Sequence, residues 1–315
     1  SLNFYIYQIE LKKHKQIGFL SLASIDDFVN NKIKAHEKIY EKRKMERAEQ
    51  MLNIKTQIGP IYVSFKTNKK IDSLILEKTF SPPSYDFESF DSSIHKLWCI
   101  NDQTFINELQ KLFLDVDSFY IADGHHRMGA MQHLNQLSEN NKKILEGRLM
   151  IAAFPSNQTK IFDYNRVIKD LNGFSKNEFL KILSNDFNIV KSDKPFKPSK
   201  KNQFGMYHEK KWYVLDFKGS IEKKNFIDTL DINIINSFCL VNILNIKDVN
   251  NDERIRFIAG CHGLNALEKK VDDNLDSIAF SIFPSEISDV MRVADNSLTM
   301  PPKSTWFDPK PLDGL

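Results

Sequence analysis

The chain has 315 residues, 41% hydrophobic and 27% charged, which is the composition of an ordinary globular protein. Its 44 basic and 41 acidic residues leave a net charge of +3, which gives no electrostatic case for a nucleic-acid or membrane partner. No apolar run approaches the roughly 20 residues that span a bilayer. The three cysteines lack CxxC spacing, so neither a disulfide framework nor a zinc knot is indicated. We therefore expect a cytoplasmic protein.

Hydrophobic periodicity and turn residues predict strands and helices in mixed order. Strands are predicted over 4–10, 16–23, 61–66, 94–100, 117–122, 148–154, 204–208, 212–217, 255–259 and 278–283. Helices are predicted over 26–31, 33–52, 104–114, 127–137, 175–185, 231–244, 263–273 and 285–293. Hairpins mixed with strand–helix units favour an α+β fold whose mixed sheets are flanked by helices. We expect two lobes, 1–155 and 156–315, with one integrated domain as the alternative.

The most informative motif is Asp123-Gly124-His125-His126-Arg127, called the DGHHR box below, between a short apolar strand and a helix. A helix N-terminus offers free N–H groups and the positive end of the helix dipole, which favours anions. Gly124 permits a positive φ, Arg127 can hold phosphate oxygens bidentately, and the histidines can donate or transfer protons. Asp123 is either a helix cap or a free carboxylate for Mg²⁺ or proton transfer. The box predicts an anion site; the alternative is a capped helix with solvent-facing histidines.

The box and several other segments together resemble one bacterial family, the domain of unknown function DUF1015. The segments that carry the resemblance are Ile33-Lys34-Ala35-His36-Glu37, Leu97-Trp98, Ile121-Ala122-Asp123-Gly124-His125-His126-Arg127, Tyr164-Asn165-Arg166-Val167 and Met300-Pro301-Pro302-Lys303-Ser304-Thr305-Trp306-Phe307-Asp308-Pro309-Lys310. They span nearly the whole chain. Members of the family usually have a further N-terminal portion, which we expect this sequence to lack.

The strand–box–helix arrangement also resembles the nucleotide-binding turn of the ParB/sulfiredoxin superfamily, whose free-serine kinase has a very similar box. The resemblance implies a nucleotide whose phosphate is held by Gly124, His125, His126 and Arg127. The expected cofactors are then ATP or ADP, together with Mg²⁺ if Asp123 is a free carboxylate. The sulfiredoxin branch has a reactive cysteine where this chain has His125, so sulfinic-acid reduction is not expected. The Glu-Asn-x-x-Arg segment that follows the box in ParB proteins is not evident either.

His36 and Glu37 form the second candidate. On a helix over 33–52, His36 would share one face with Tyr40, Arg43 and Arg47. Glu37 would act as a general base, with His36 as its partner or as a ligand. The alternative is a charged helix face that is simply solvated. HExxH zinc spacing is absent, because Tyr40 stands where the second histidine would be.

Two further groups are candidates for ligand binding. Asn165 and Arg166 follow a predicted strand end and are substrate-binding candidates, or else a turn asparagine and a surface arginine in an ion pair. Lys303, Ser304 and Thr305 follow a rigid Pro-Pro pair and are cofactor-binding candidates, of which Lys303 could neutralise a phosphate or an acidic substrate. Their alternative is a packed terminal loop.

Three functions follow from these observations. The first is an enzyme that binds a nucleotide or phosphorylated small molecule at the box, such as a kinase for a small hydroxy-amino acid. In that function Asp123 and His126 join Glu37 and His36 as candidate catalytic residues. The second is a nucleotide-dependent binding or regulatory module of the ParB type. The third is a hydrolase or isomerase that uses the His125/His126 pair without a nucleotide.

Overall fold

The computed structural model describes residues 4–137, 147–221, 226–273 and 278–314. The strands are β1 (Phe4–Leu11), β2 (His14–Ser24), β3 (Ile33–Lys34), β4 (Ile61–Phe65), β5 (Tyr85–Glu88), β6 (Ile94–Ile100), β7 (Phe119–Asp123), β8 (Arg148–Pro155), β9 (Ile161–Phe162), β10 (Tyr164–Ile168), β11 (Phe187–Ser192), β12 (Gln203–His208), β13 (Lys211–Phe217), β14 (Ile255–Ala259), β15 (Ile278–Ile282) and β16 (Trp306–Phe307). The helices are α1 (Asp26–Val29), α2 (Glu41–Ile54), α3 (Lys69–Lys78), α4 (Gln103–Leu114), α5 (His125–Leu137), α6 (Lys176–Leu183), α7 (Asp231–Ile235), α8 (Leu264–Asp272) and α9 (Ile287–Asp295). The predicted α+β class with mixed sheets is confirmed.

The chain divides into two compact units. Unit 1 comprises Ser1–Lys160, Val290–Thr299 and Phe307–Leu315, and unit 2 comprises Ile161–Asp289 and Met300–Trp306. The DGHHR box, His36 and Glu37 belong to unit 1. The remaining candidate residues belong to unit 2: Asn165, Arg166, Lys303, Ser304 and Thr305.

Unit 1 is built on a mixed sheet of eight strands in the described residues, in the order β3-β7-β4-β8-β2-β1-β6-β5. β3 is parallel to β7 and β4 is parallel to β8, whereas the other neighbours are antiparallel. β7 therefore has a strand on each side. Its middle residues Tyr120, Ile121 and Ala122 are all buried. The strand that leads into the box is thus fixed by hydrogen bonds on both edges and by packing on both faces.

Helix α5 follows the box and is held by its apolar side. Met128, Met131 and Leu134, which the sequence pattern places on one face, are buried in the unit 1 core. Burial of each such side chain contributes about 1.5–3 kcal/mol. Packing of this apolar side therefore fixes the position of α5 and of its first turn, which carries the side chains of the box.

Unit 2 contains an antiparallel six-stranded sheet in the described residues, in the order β11-β13-β12-β15-β10-β14. The predicted hairpin is confirmed as β12 and β13. Its turn residues Glu209 and Lys210 both have positive φ, 47° and 59°, which is the backbone that matches the twist of a two-residue hairpin.

The helix predicted over 33–52 is wrong in its first part. Ile33–Lys34 pairs with β7 as β3, residues 35–40 are not helical, and α2 begins only at Glu41. His36 therefore shares no helix face with Arg43 and Arg47, which lie on α2.

Long-range contacts explain this difference. The backbone N–H of His36 donates to Nε2 of His125 at 3.4 Å. A Cβ on Gly129 would come 2.8 Å from Ile39, so the 35–40 segment approaches α5 closely. Helix propensity is a weak preference, and pairing with β7 and packing on α5 outweigh it.

The structure differs from the predicted elements at two further helices. Helix α3, capped by the Asn68 side chain on the Lys70 N–H, was not predicted. The helix predicted over 231–244 is α7 followed by a π-helical segment, Asn236–Val241.

Candidate functional site

The box forms a strand–glycine–helix turn. β7 ends at Asp123 and α5 begins at His125, with Gly124 between them. Gly124 has φ +98°, and a Cβ there would come 3.2 Å from Nε of Arg127. The Met128 N–H donates to the Gly124 carbonyl at 2.9 Å and closes the first helical turn. The N–H groups before Met128 precede that first bond, so they form the anion-attracting end of α5.

Arg127 lies within a chain of ion pairs. Its Nη2 donates to Oδ2 of Asp123 at 3.0 Å, and its Nη1 donates to Oδ1 of Asp313 at 2.7 Å. The other oxygen of Asp123 accepts a hydrogen bond from Nζ of Lys310. The guanidinium of Arg127 thus already binds two oxyanions, and both are carboxylates of this chain. A phosphate group offers the same kind of acceptor.

The C-terminal segment 308–314 brings Lys310 and Asp313 to the box. Its backbone is attached to unit 1 by hydrogen bonds from the Gly314 N–H to the Ile58 carbonyl, 2.8 Å, and from the Leu312 N–H to the Tyr7 hydroxyl, 3.2 Å. Gly59 leaves room for the Asp313 side chain, since a Cβ there would lie 1.7 Å from Oδ1 of Asp313.

His36, Glu37 and His125 meet beside the box. Oε2 of Glu37 lies 3.6 Å from Nδ1 of His125, and the rings of His36 and His125 meet edge to face at 4.5 Å between centroids. Burial lowers the pKa of His36 to about 4 and lowers the pKa of His125 well below its ordinary value. Because Nε2 of His125 accepts from the His36 N–H, its proton is on Nδ1 and faces Glu37. Both rings are neutral, and the half-exposed carboxylate is the charged member of the group.

His126 lies in a positively charged setting. Its Nε2 accepts from the Tyr40 N–H at 3.3 Å, and the two rings are stacked with centroids 6.0 Å apart. Burial, followed by the charges of Arg43 and Arg47, lowers the pKa of His126. The arginines of α2 therefore act on the first turn of α5 and add to the positive potential around the box.

In unit 2, Asn165 and Arg166 are both buried on β10. The Asn165 amide donates to Oδ2 of Asp163 at 2.6 Å, and its oxygen accepts from the Ile282 N–H at 3.0 Å. Asn165 thus bridges β10 and the end of β15. Arg166 has no exposed surface, so it is not the surface arginine of the alternative interpretation.

The second group of unit 2 lies on the segment Met300–Trp306. Lys303 is exposed and has φ +54°. Its Nζ lies 5.7 Å from the centroid of the Tyr164 ring. Ser304 and Thr305 are buried, and the Ser304 hydroxyl donates to the Pro301 carbonyl.

Three residues at the box were not among the sequence candidates. Gly59, Lys310 and Asp313 are distant from the box along the chain and reach it only through folding. Lys310 lies within the terminal segment that carries the family resemblance, which is a signal that could have selected it. Nothing in the local sequence marks Gly59 or Asp313.

The fold and the site define an α+β protein with an arginine on a strand–glycine–helix turn. The chain belongs to the family described as "Protein of unknown function (DUF1015)", whose model matches residues 1–233. The predicted family is confirmed. No curated protein matches the chain significantly.

Several solved structures are similar over most of their length. SbnI with C-terminal truncation, from Staphylococcus aureus, is 11% identical, with 94% of this chain and 85% of that chain covered and a TM-score of 0.47. A free serine kinase mutant in complex with AMP is 16% identical, with coverage of 97% and 94% and a TM-score of 0.46. A conserved hypothetical protein from Pyrococcus furiosus is 15% identical, with coverage of 93% and 94% and a TM-score of 0.39.

The described residues contain neither a membrane-spanning helix nor a metal-binding cluster. Among them, no helix has the length and apolar character needed to cross a membrane. The same residues contain no cluster of three or more His, Cys, Asp or Glu side chains arranged to hold a metal ion.

Proposed function

We propose that the DGHHR box binds a terminal phosphate of ADP or ATP, and that the protein transfers this phosphoryl group to a small hydroxy-amino acid such as serine. The observation that carries the anion site is the partly exposed Arg127 guanidinium on the first turn of α5, held by carboxylate oxygens. The nucleotide and the serine-like acceptor are supported by the resemblance of the box to that of the free-serine kinase.

A phosphate at this turn has several donors. Arg127 offers a planar fork, Lys310 offers an ammonium, and the helix N-terminus offers N–H groups. The phosphate would replace the Asp313 carboxylate on Nη1 of Arg127, because both ligands are oxyanions. Asp313 is the weaker competitor, since 62% of its side chain is exposed to water.

Glu37 is the proposed general base. Its side chain is 39% exposed, and the neutral His125 ring beside it restricts its position. In the transfer step, Glu37 takes the proton of the acceptor hydroxyl, whose oxygen forms the new O–P bond. The anhydride O–P bond breaks and the leaving nucleotide keeps the electron pair. Arg127 and Lys310 stabilise the charge that develops on the phosphate oxygens.

Mg²⁺ is part of the proposal through Asp123. Proteins commonly hold Mg²⁺ with one or two carboxylates together with substrate phosphates, and Asp123 supplies one carboxylate beside the phosphate site. The ion would neutralise phosphate charge, and Asp123 would exchange one of its present partners, Arg127 or Lys310, for it.

The test is a thermal-shift and calorimetric titration of the full chain with AMP, ADP, ATP and phosphoserine, with and without Mg²⁺. A nucleotide at 100 times its Kd should stabilise the protein by about 2.7 kcal/mol. Arg127→Ala should weaken binding at least ~10-fold, since charge-assisted bonds contribute about 1.5–3 kcal/mol. Arg256→Gln, on β14 of unit 2, is the matched control and should bind as the wild type does.

Two results would overturn the proposal. One is a folded wild-type protein that no phosphorylated ligand stabilises, which would favour the histidine hydrolase or isomerase. The other is an Arg127→Ala variant that binds nucleotide with unchanged affinity. Binding without phosphoryl transfer to serine or a related amino acid would favour the ParB-type module.

A further inference from the structure

Arg166 lies on β10, the strand next to the edge strand β14 of the unit 2 sheet. On β10 it stands opposite Phe280 of β15 on one side and Phe257 of β14 on the other. None of its surface is exposed. The guanidinium lies 5.1 Å from the centroid of the Phe257 ring, so its charge rests partly on an aromatic face.

The hydrogen bonds of Arg166 leave one edge of the guanidinium poorly occupied. Nη1 donates to the Tyr164 carbonyl, and Nη2 donates to the Pro302 carbonyl at a long 3.3 Å. Nε is buried and has no hydrogen-bond partner among the described residues. Nε and Nη2 form the side of the guanidinium that binds two oxygens of a carboxylate in parallel.

No carboxylate of the described residues forms an ion pair with Arg166. Asp163, which immediately precedes β10, is instead paired with Lys197 at 3.1 Å and accepts a hydrogen bond from Asn165. Burial lowers the pKa of Arg166 to about 9, so the side chain is still charged at neutral pH. An unpaired buried charge costs several kcal/mol, which neutral carbonyls offset only in part.

A second cation, Lys303, approaches the same residue, Tyr164. Lys303 places Nζ 5.7 Å from the Tyr164 ring, while Arg166 binds the carbonyl of the same residue. Lys303 holds a left-handed backbone, φ +54°, which non-glycine residues adopt rarely. The carbonyl of its neighbour Pro302 accepts the long hydrogen bond from Nη2 of Arg166. One movement of this loop would therefore free the guanidinium edge and change the position of the lysine.

We propose that Arg166 and Lys303 form a second anion site, within unit 2, for the carboxylate of a small organic acid. The carboxylate binds Nε and Nη2 of Arg166 side-on and displaces the Pro302 carbonyl, and Lys303 closes over it. A planar carboxylate matches the two parallel donors, which is why we assign it in preference to phosphate. This site is independent of the proposed nucleotide site.

The probes are sodium acetate, L-serine and inorganic phosphate, added to the full chain at constant ionic strength. The readouts are the melting temperature and the fluorescence of Trp306, whose ring lies 5.6 Å from that of Tyr164. We expect acetate and L-serine to raise the melting temperature and to change the emission. A Trp306→Phe variant should lose only the fluorescence change.

The variants separate a binding arginine from a structural one. Without ligand, Arg166→Met should melt at the wild-type temperature or above, because a buried charge is removed, and it should lose the response to carboxylates. Arg166→Lys and Lys303→Gln should weaken the response about 10-fold or more. Lys200→Gln, an exposed lysine of the same unit, should respond like the wild type, and so should Arg127→Ala.

Three outcomes would overturn this assignment. The first is a wild-type protein that responds to none of the three probes. The second is a folded Arg166→Met protein that responds to carboxylates as the wild type does. The third is a response to phosphate alone, which would exclude the carboxylate as the occupant.

Discussion

At the scale of single residues, Glu37 provides the clearest test of the proposed chemistry. The substitution Glu37→Gln keeps the shape of the side chain and removes its ability to take a proton. We expect nucleotide affinity within a few-fold of the wild type and a transfer rate lower by about 10²–10⁴-fold. Transfer from ADP or ATP to serine, measured under single-turnover conditions, gives the rate.

The control is Glu41→Gln. Glu41 is an exposed carboxylate that pairs with Lys44 on α2, so its replacement should leave transfer unchanged. Equal rates for Glu37→Gln and the wild type would rule out Glu37 as the base.

Asp231 makes the stability of the protein depend on pH. It is 8% exposed and accepts a hydrogen bond from the Asn202 N–H at 2.7 Å, while its Oδ2 is buried and has no partner in the part of the chain that the structure describes. Burial is the largest cause that raises the pKa of Asp231 to about 7; the Asn202 bond and Lys201 oppose the rise, and Asp289 and Glu286 add to it.

The direction of this effect follows from the raised pKa. The folded state holds the proton more tightly than the unfolded state, whose value is near 3.8. The stabilisation is complete below pH 3.8 and is lost as the pH rises to about 7. Relative to the wild type, Asp231→Asn should therefore gain a few kcal/mol of unfolding free energy across this range.

Urea unfolding at several pH values measures this difference. Asp193→Asn, at an exposed position, is the surface control and should follow the wild-type profile. A constant difference between Asp231→Asn and the wild type at all pH values would show that Asp231 does not titrate in this range.

The candidate residues of the box were predictable because the signal is local. A buried apolar run, a glycine and a helix with apolar spacing specify the strand–turn–helix, and Arg127 then occupies its first turn. Gly59 and Asp313 were not predictable, since their role arises from tertiary contacts with Arg127 that no local pattern records. The chemical roles of the candidate residues remain predictions.

At the scale of elements, the C-terminal segment 308–314 brings the Asp313 carboxylate to Nη1 of Arg127. Replacing Asp313 by Asn removes the carboxylate that competes with phosphate for Nη1. Exposed ion pairs contribute about 0.2–1 kcal/mol, so nucleotide affinity should rise about two- to fivefold. Calorimetric titration with ADP and ATP measures the change.

Asp115→Asn serves as the control, because Asp115 ends α4 and is exposed. Unchanged or weaker nucleotide binding in Asp313→Asn would mean that Asp313 does not compete with the ligand. Such a result would not contradict the anion site itself, which the Arg127→Ala variant tests.

Elements were predictable where one signal dominated. Helix α4 is an example, since its apolar residues recur at helical spacing and an aspartate precedes it; Asp102 accepts from the Thr104 and Phe105 N–H groups. The start of α2 was not, because residues 35–40 bind α5 and so cannot take the helical form that their composition allows. A non-local contact decided the structure there.

At the scale of the whole molecule, the charge balance separates the kinase from a DNA-binding module. A net charge of +3 over 315 residues leaves few uncompensated cationic side chains to displace the counterions that are condensed on DNA. We expect no specific retention of duplex DNA at moderate salt, with or without ADP and Mg²⁺. Electrophoretic mobility or anisotropy measurements over a range of salt concentrations test this.

Nucleotide-dependent DNA binding with a steep salt dependence would instead support the ParB-type module. The α+β class and the family were both predictable from the sequence. Membership in DUF1015 establishes relatives but no reaction, so function has to be argued from sites.

The ion pairs around the box have a further consequence, for the effect of salt. Lys310, Asp123, Arg127 and Asp313 alternate in sign, and their four charges sum to zero. A phosphate that displaces Asp313 exchanges one anion for another on Arg127. Because the four charges cancel, they attract a distant nucleotide only weakly, and dissolved salt, which screens charges over ~10 Å, has little attraction to reduce. Nucleotide association should depend little on ionic strength in the wild type. It should become more sensitive in Asp313→Asn, where an uncompensated positive charge attracts the ligand from solution.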